Sequence, residues 1–182
     1  NHLGHFALTG RLFDALRAGS APRVVNVSSQ AHRMGRIRFD DLQSEGSYQK
    51  WVAYGQSKLA NLLFTLELQR RLDAIGADTI AVAAHPGVSN TELMRHIPGS
   101  GLPGFSLLAG LVTNSPPVGA LGTLRAATDP AVQGGQYYGP SGFRELVGHP
   151  VLVKSNSKSH DVAMQQRLWT VSEELTGVKF GV

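Results

Sequence analysis

The chain has no cysteine, which excludes disulfides and thiolate-ligated metals and fits a reducing compartment. Its seven histidines show no His-Glu-x-x-His spacing, and no cysteine is there to complete a zinc site, so no metal is expected. Charged residues are only 16% of the sequence. Lysine and arginine are scattered, without basic runs interleaved with aromatics, so nucleic acid is not an expected partner. No apolar run reaches the roughly 18 residues that a membrane span needs. The longest, Leu102 to Val112, is short and holds Pro103, Gly104 and Gly110. No signal peptide is evident, and the expected location is cytoplasmic. No Gly-x-Ser-x-Gly surrounds Ser28 or Ser29, which argues against a hydrolase triad.

The sequence does hold 182 residues, 42% of them hydrophobic, enough for one domain over 1–182 with a substantial core. A net charge of +4 suits an anionic small molecule such as a dinucleotide without requiring one. The first residue is Asn rather than Met, and a helical pattern opens at once. The expectation is that the protein begins upstream.

Hydrophobic periodicity lays out alternating elements. Leu8, Leu12 and Leu16 recur at helical spacing, so residues 2–17 read as a buried helix ended near Gly19. The β-branched run from Arg23 to Val27 reads as a buried strand bounded by Pro22 and Ser28-Ser29. Residues 31–50 read as a polar surface excursion. A long helix is expected from about Ala53 to Leu72, with Leu59, Leu62, Leu63 and Leu66 on its apolar face and Gln56 and Ser57 on its surface. Residues 79–84 form a second strand, stopped by His85-Pro86-Gly87, and 136–138 a third, closed by Gly139-Pro140. Helices are expected at 118–128 and 161–175, the latter ended by Gly177. Strands alternating with helices imply an α/β fold with a parallel sheet covered on both faces.

The chemistry concentrates in Tyr54-Gly55-Gln56-Ser57-Lys58. A tyrosine and a lysine four apart share one face of a helix. An ammonium beside a phenol favours the phenolate, and moving a tyrosine from about 10 to about 7 takes roughly 4 kcal/mol of differential stabilisation. Such a phenol can transfer protons at neutral pH. One decoy is rejected. Gly99-Ser100-Gly101-Leu102-Pro103-Gly104 fits G-x-G-x-x-G by letter, but polar residues precede it and Pro103 removes a phosphate-binding N–H. With Leu102, Phe105, Leu107 and Leu108, the segment reads better as a lid over a lipophilic substrate.

In order along the chain, Asn1-His2-Leu3-Gly4-His5-Phe6, Val25-Asn26-Val27-Ser28-Ser29, Tyr54-Gly55-Gln56-Ser57-Lys58-Leu59-Ala60-Asn61 and His85-Pro86-Gly87-Val88-Ser89-Asn90-Thr91 resemble the short-chain dehydrogenase/reductase family. Leu168-Trp169 and Ser172-Glu173-Glu174-Leu175-Thr176-Gly177 are similar to its retinol-dehydrogenase-like branch. The resemblance implies the C-terminal part of a Rossmann-type, doubly wound parallel sheet. It casts Tyr54 as general acid/base, and Lys58 as the group that lowers its pKa and bonds the nicotinamide ribose. Ser29, with Ser28 the alternative, would hold the substrate oxygen. Asn1 would anchor a water behind Lys58, or be a plain helix cap. Pro86, Ser89 and Thr91 would contact the nicotinamide carboxamide, although Pro86-Gly87 could be an ordinary turn.

The implied cofactor is NADP or NAD, the former slightly favoured by the branch. The implied substrate is a small lipophilic alcohol, aldehyde or ketone, and a homodimer through the helices carrying Asn1 and Tyr54 is common in the family. The family's glycine-rich first βα turn and its Asn-Asn-Ala-Gly segment are nowhere in this sequence. The first βα units are thus absent, only three strands are legible, and a sheet edge should lie open. Two readings remain: an NAD(P)-dependent oxidoreductase in its catalytic half, or a catalytically silent fragment with a structural or dimerisation role.

Overall fold

Short β-branched or alanine-rich runs flanked by helices build a small sheet with helices on both faces. The computed structural model describes residues 1–88 and 113–182. Ser89, Thr91, the segment 99–104 and the expected lid residues lie outside the described residues. Helices α1 (Leu3–Arg17), α2 (Lys50–Ala74), α3 (Pro116–Thr128) and α4 (Val162–Thr176) alternate with strands β1 (Arg23–Val27), β2 (Ile80–Ala84), β3 (Tyr137–Pro140) and β4 (Pro150–Leu152). The sheet order is β1-β2-β3-β4. β1 pairs with β2 and β2 with β3 in parallel, while β4 runs antiparallel to β3.

β4 corrects the expectation of three strands. It is three residues long and mostly exposed, too short to show an alternation and unburied enough to lack an apolar signature. Among the described residues β1 pairs with β2 alone, so the sheet has an edge there.

Alternate strand residues point to opposite faces, and the core divides accordingly. Val24 and Ala81 pack with Phe6, Phe13, Phe64, Leu68 and Leu72 under α1 and α2. Val82, Ala84 and Tyr138 pack with Ala126 of α3. The buried face of α1 differs from the expected leucine stripe. Leu8 and Leu12 are 60% and 52% exposed, whereas Phe6 and Phe13 are buried. The phenylalanine face wins because Phe6 meets Phe64, Trp169 and Phe180 at ring-centroid distances of 5.2, 5.2 and 4.8 Å, an aromatic cluster that buries more area than leucines could.

Helix α4 starts where Asp161 accepts the Met164 N–H and ends at Gly177 in the left-handed conformation, φ 65°. It packs on α1 and α2. The excursion before α2 is also less loose than expected. Ile37 and Gln56 are buried; the Gln56 amide accepts from the Arg38 N–H at 2.9 Å and donates to the Leu42 carbonyl at 3.0 Å. Gln56 is therefore a tie between α2 and the excursion, not a surface residue. No helix among the described residues is long and apolar enough to cross a membrane.

Candidate active site

Residues at the ends of β1 and β2 and in the first half of α2 converge. Tyr54 and Lys58 lie one turn apart on α2 and are both half-buried. The Lys58 ammonium stands 5.5 Å from the Tyr54 ring centroid and donates to the Val27 carbonyl at 3.1 Å. Burial pulls the Lys58 pKa below its ordinary value. Tyr54 is braced by Trp51, whose ring meets it edge-on at 6.3 Å.

The two serines after β1 face different ways. Ser28 is buried, and its hydroxyl donates to the Lys58 carbonyl at 2.9 Å. Ser29 is half-buried and extended, and its hydroxyl oxygen accepts the Ala31 N–H at 3.2 Å. That leaves the Ser29 proton available to a ligand, while the Ser28 proton is engaged by α2.

Asn1 is exposed at the start of α1, on the rim of a cavity it shares with Tyr54. A second asparagine, Asn61, is fully buried, donates to the same Val27 carbonyl as Lys58 at 3.1 Å and reaches His5 at 3.3 Å. Its place in the run after Lys58 was visible, but nothing in its spacing marked it as a partner of the strand end. The shared cavity measures about 430 Å³; its wall mixes apolar side chains such as Ile37, Leu42 and Leu168 with polar ones such as Gln43, Ser44 and Lys50, and neither Ser29 nor Lys58 lines it.

Pro86 follows β2 in a turn held by Asn114, whose amide donates to the Pro86 carbonyl at 3.2 Å. Ser89 and Thr91, the other expected cofactor contacts, lie outside the described residues. No cluster of metal-binding side chains occurs among the described residues.

An ammonium has three donors, and only the Val27 bond occupies Lys58 among the described residues. Two donors are thus available to ribose hydroxyls, and the residues present fit that end of a dinucleotide.

No protein-family profile matches the chain. It is 40% identical to human retinol dehydrogenase 14 over 182 residues, covering 98% of this chain and 51% of that protein. Human polyprenol dehydrogenase is 38% identical over 186 residues, 98% of this chain and 53% of that protein. A crystal structure of an uncharacterized protein from Mycobacterium paratuberculosis superposes over 100% of this chain and 59% of its own, with TM-score 0.78 and 41% identity. The chain thus spans about half the length of the curated relatives it matches. With an α/β fold, a mostly parallel sheet and the ordered motifs along its strands and helices, the chain belongs to the short-chain dehydrogenase/reductase family, as a C-terminal part of that fold.

Proposed function

We propose that the whole protein is an NAD(P)-dependent oxidoreductase that interconverts an alcohol and a carbonyl on a lipophilic substrate. The observation that carries this reading is the Tyr54–Lys58 pair, an ammonium held 5.5 Å from the phenol ring beside the strand end that presents Ser29. The nicotinamide, when bound, supplies or accepts the hydride. Tyr54 exchanges the proton with the substrate oxygen, as general base in oxidation and general acid in reduction. Lys58 keeps its ammonium beside the Tyr54 ring. Ser29 donates its hydroxyl proton to the same oxygen, fixing its position and stabilising developing charge.

Pro86, Ser89 and Thr91 would hold the carboxamide, and Lys58 the ribose. Asn1, at the cavity rim, would order water near the lysine. The names of the relatives, retinol and polyprenol dehydrogenases, favour a long apolar alcohol. NADP is favoured over NAD by analogy with that branch.

The test is equilibrium binding of NADPH and NADH to the whole protein, then turnover with retinoid and polyprenyl alcohols and aldehydes. Micromolar binding of one dinucleotide, weakened by Lys58→Met, and substrate-dependent turnover are expected. Absence of binding to both would leave the catalytically silent alternative.

A further inference from the structure

We propose that Glu145 is a positioning residue: from the tip of the β3–β4 hairpin it holds His85, and through His85 the Pro86-Gly87 turn, in register with the segment that follows Ser29. The inference rests on the functional reading above, since that turn is where the cofactor would be met.

The proton on His85 can be assigned. The Gly87 N–H donates to His85 Nδ1 at 3.2 Å, so that nitrogen is bare and Nε2 carries the hydrogen. His85 Nε2 lies 3.3 Å from Glu145 Oε2, which accepts it. The imidazole is fully enclosed, and burial, aided by His32 and Arg33, lowers its pKa to about 4. It is a neutral link with one tautomer, reading the carboxylate on one side and the turn on the other.

Glu145 holds more than the histidine. Its other oxygen accepts from Arg33 at 3.2 Å, and Oε2 also accepts from the Gln30 amide. Gln30 and Arg33 belong to the single 3-10 turn that opens at Ser29, and Gln30 accepts from Arg33 in turn at 2.6 Å. One carboxylate therefore joins the segment after the candidate substrate-holding serine to the turn after β2.

The backbone shows that this placement is enforced. Arg144 and Glu145 both sit in the left-handed region, φ 49° and 58°, where side chains are disfavoured and persist only when their surroundings demand it. Packing leaves no slack either. A Cβ on Gly87 would run into the Leu146 carbonyl, and one on Gly139 into His85 Nε2. The Val88 N–H donates to that Leu146 carbonyl at 2.8 Å. Asn114 closes the far side, bonding the Pro86 carbonyl and accepting the Gly148 N–H at 3.0 Å. The hairpin thus grips the turn at two points, and Glu145 sets its approach.

The experiment compares Glu145→Ala and Glu145→Gln in the whole protein, with Tyr54→Phe alongside. Glu145→Ala should raise the KM for the dinucleotide about tenfold, the size of one lost charge-assisted hydrogen bond, with kcat changed less. Glu145→Gln, which keeps an oxygen for the His85 proton, should recover part of that loss. Unchanged KM in Glu145→Ala, or equal damage in both variants, overturns the proposal. Should Glu145→Ala fail to fold, nitrogen NMR of the wild-type imidazole decides: the Nε2–H tautomer of His85 is required, and an Nδ1–H tautomer refutes it. If Tyr54→Phe keeps full turnover, the functional reading itself has failed; if Tyr54→Phe is inactive while Glu145→Ala keeps its KM, only this inference has.

Discussion

Acid should weaken this fold before most of its carboxylates titrate. His2 and His85 are 9% and 1% exposed, and desolvation lowers each pKa from 6.5 to about 4. An unfolded chain takes up a proton at each near pH 6.5, whereas the folded chain does so only near 4. Stability is therefore full above about 6.5 and falls as the pH drops from about 6.5 to about 4. At about pH 5 the difference is about 2 kcal/mol for each imidazole, about 4 kcal/mol for the two. That is a large share of the roughly 5–15 kcal/mol that holds a domain together. His5 and His32 are lowered too, again chiefly by burial, and act in the same direction. Glu67, held low by Arg70 and Arg71 against its own burial, adds its loss only at still lower pH.

The assay is urea denaturation followed by tryptophan fluorescence, since Trp169 is buried in the core. Runs at about pH 7.5 and about pH 5 should differ by about 4 kcal/mol or more. His2→Gln should remove about half of that pH dependence, whatever its effect at neutral pH. A midpoint that does not move between the two pH values would refute the buried, neutral state of these rings.

Further predictions concern packing and the site. Phe6→Ala should cost about 3–5 kcal/mol by urea denaturation, because the ring is fully enclosed among Phe64, Trp169 and Phe180. Leu8→Ala, at an exposed position, should stay within about 0.5 kcal/mol of wild type, and a large loss there would mean that something covers this face in the whole protein. Ser29→Ala should lower kcat by about a hundredfold with little change in stability. Ser28→Ala, which deletes the bond to the Lys58 carbonyl, should instead cost about 1 kcal/mol of stability, and the reverse pattern would exchange the roles of the two serines.

Much of the architecture was legible because it depends on local signals. The β-branched run at Arg23–Val27, the apolar face of α2 and the Asp161 and Gly177 ends of α4 follow from periodicity and capping. The misreadings share a different cause. Leu8, Leu12 and Leu16 have helical spacing, yet the face that is buried was chosen by distant aromatics at 64, 169 and 180. Gln56 looked like a surface residue because its partners, Arg38 and Leu42, lie in an irregular segment with no period to read. Tyr54, Lys58 and Ser29 stood out through spacing and order. Asn61, His85 and Glu145 did not, because their roles come from contacts 34, 60 and 115 residues away in sequence, and no local pattern encodes such distances.

Tyr54 is the proposed proton-transfer group. Tyr54→Phe removes one hydroxyl and keeps the ring that Trp51 and Lys58 contact. The decisive measurement is turnover of this variant in the whole protein, alongside its dinucleotide affinity. A fall in kcat of about a hundredfold or more, with that affinity retained, is the predicted result. A kcat equal to wild type would contradict it and take Tyr54 out of the mechanism.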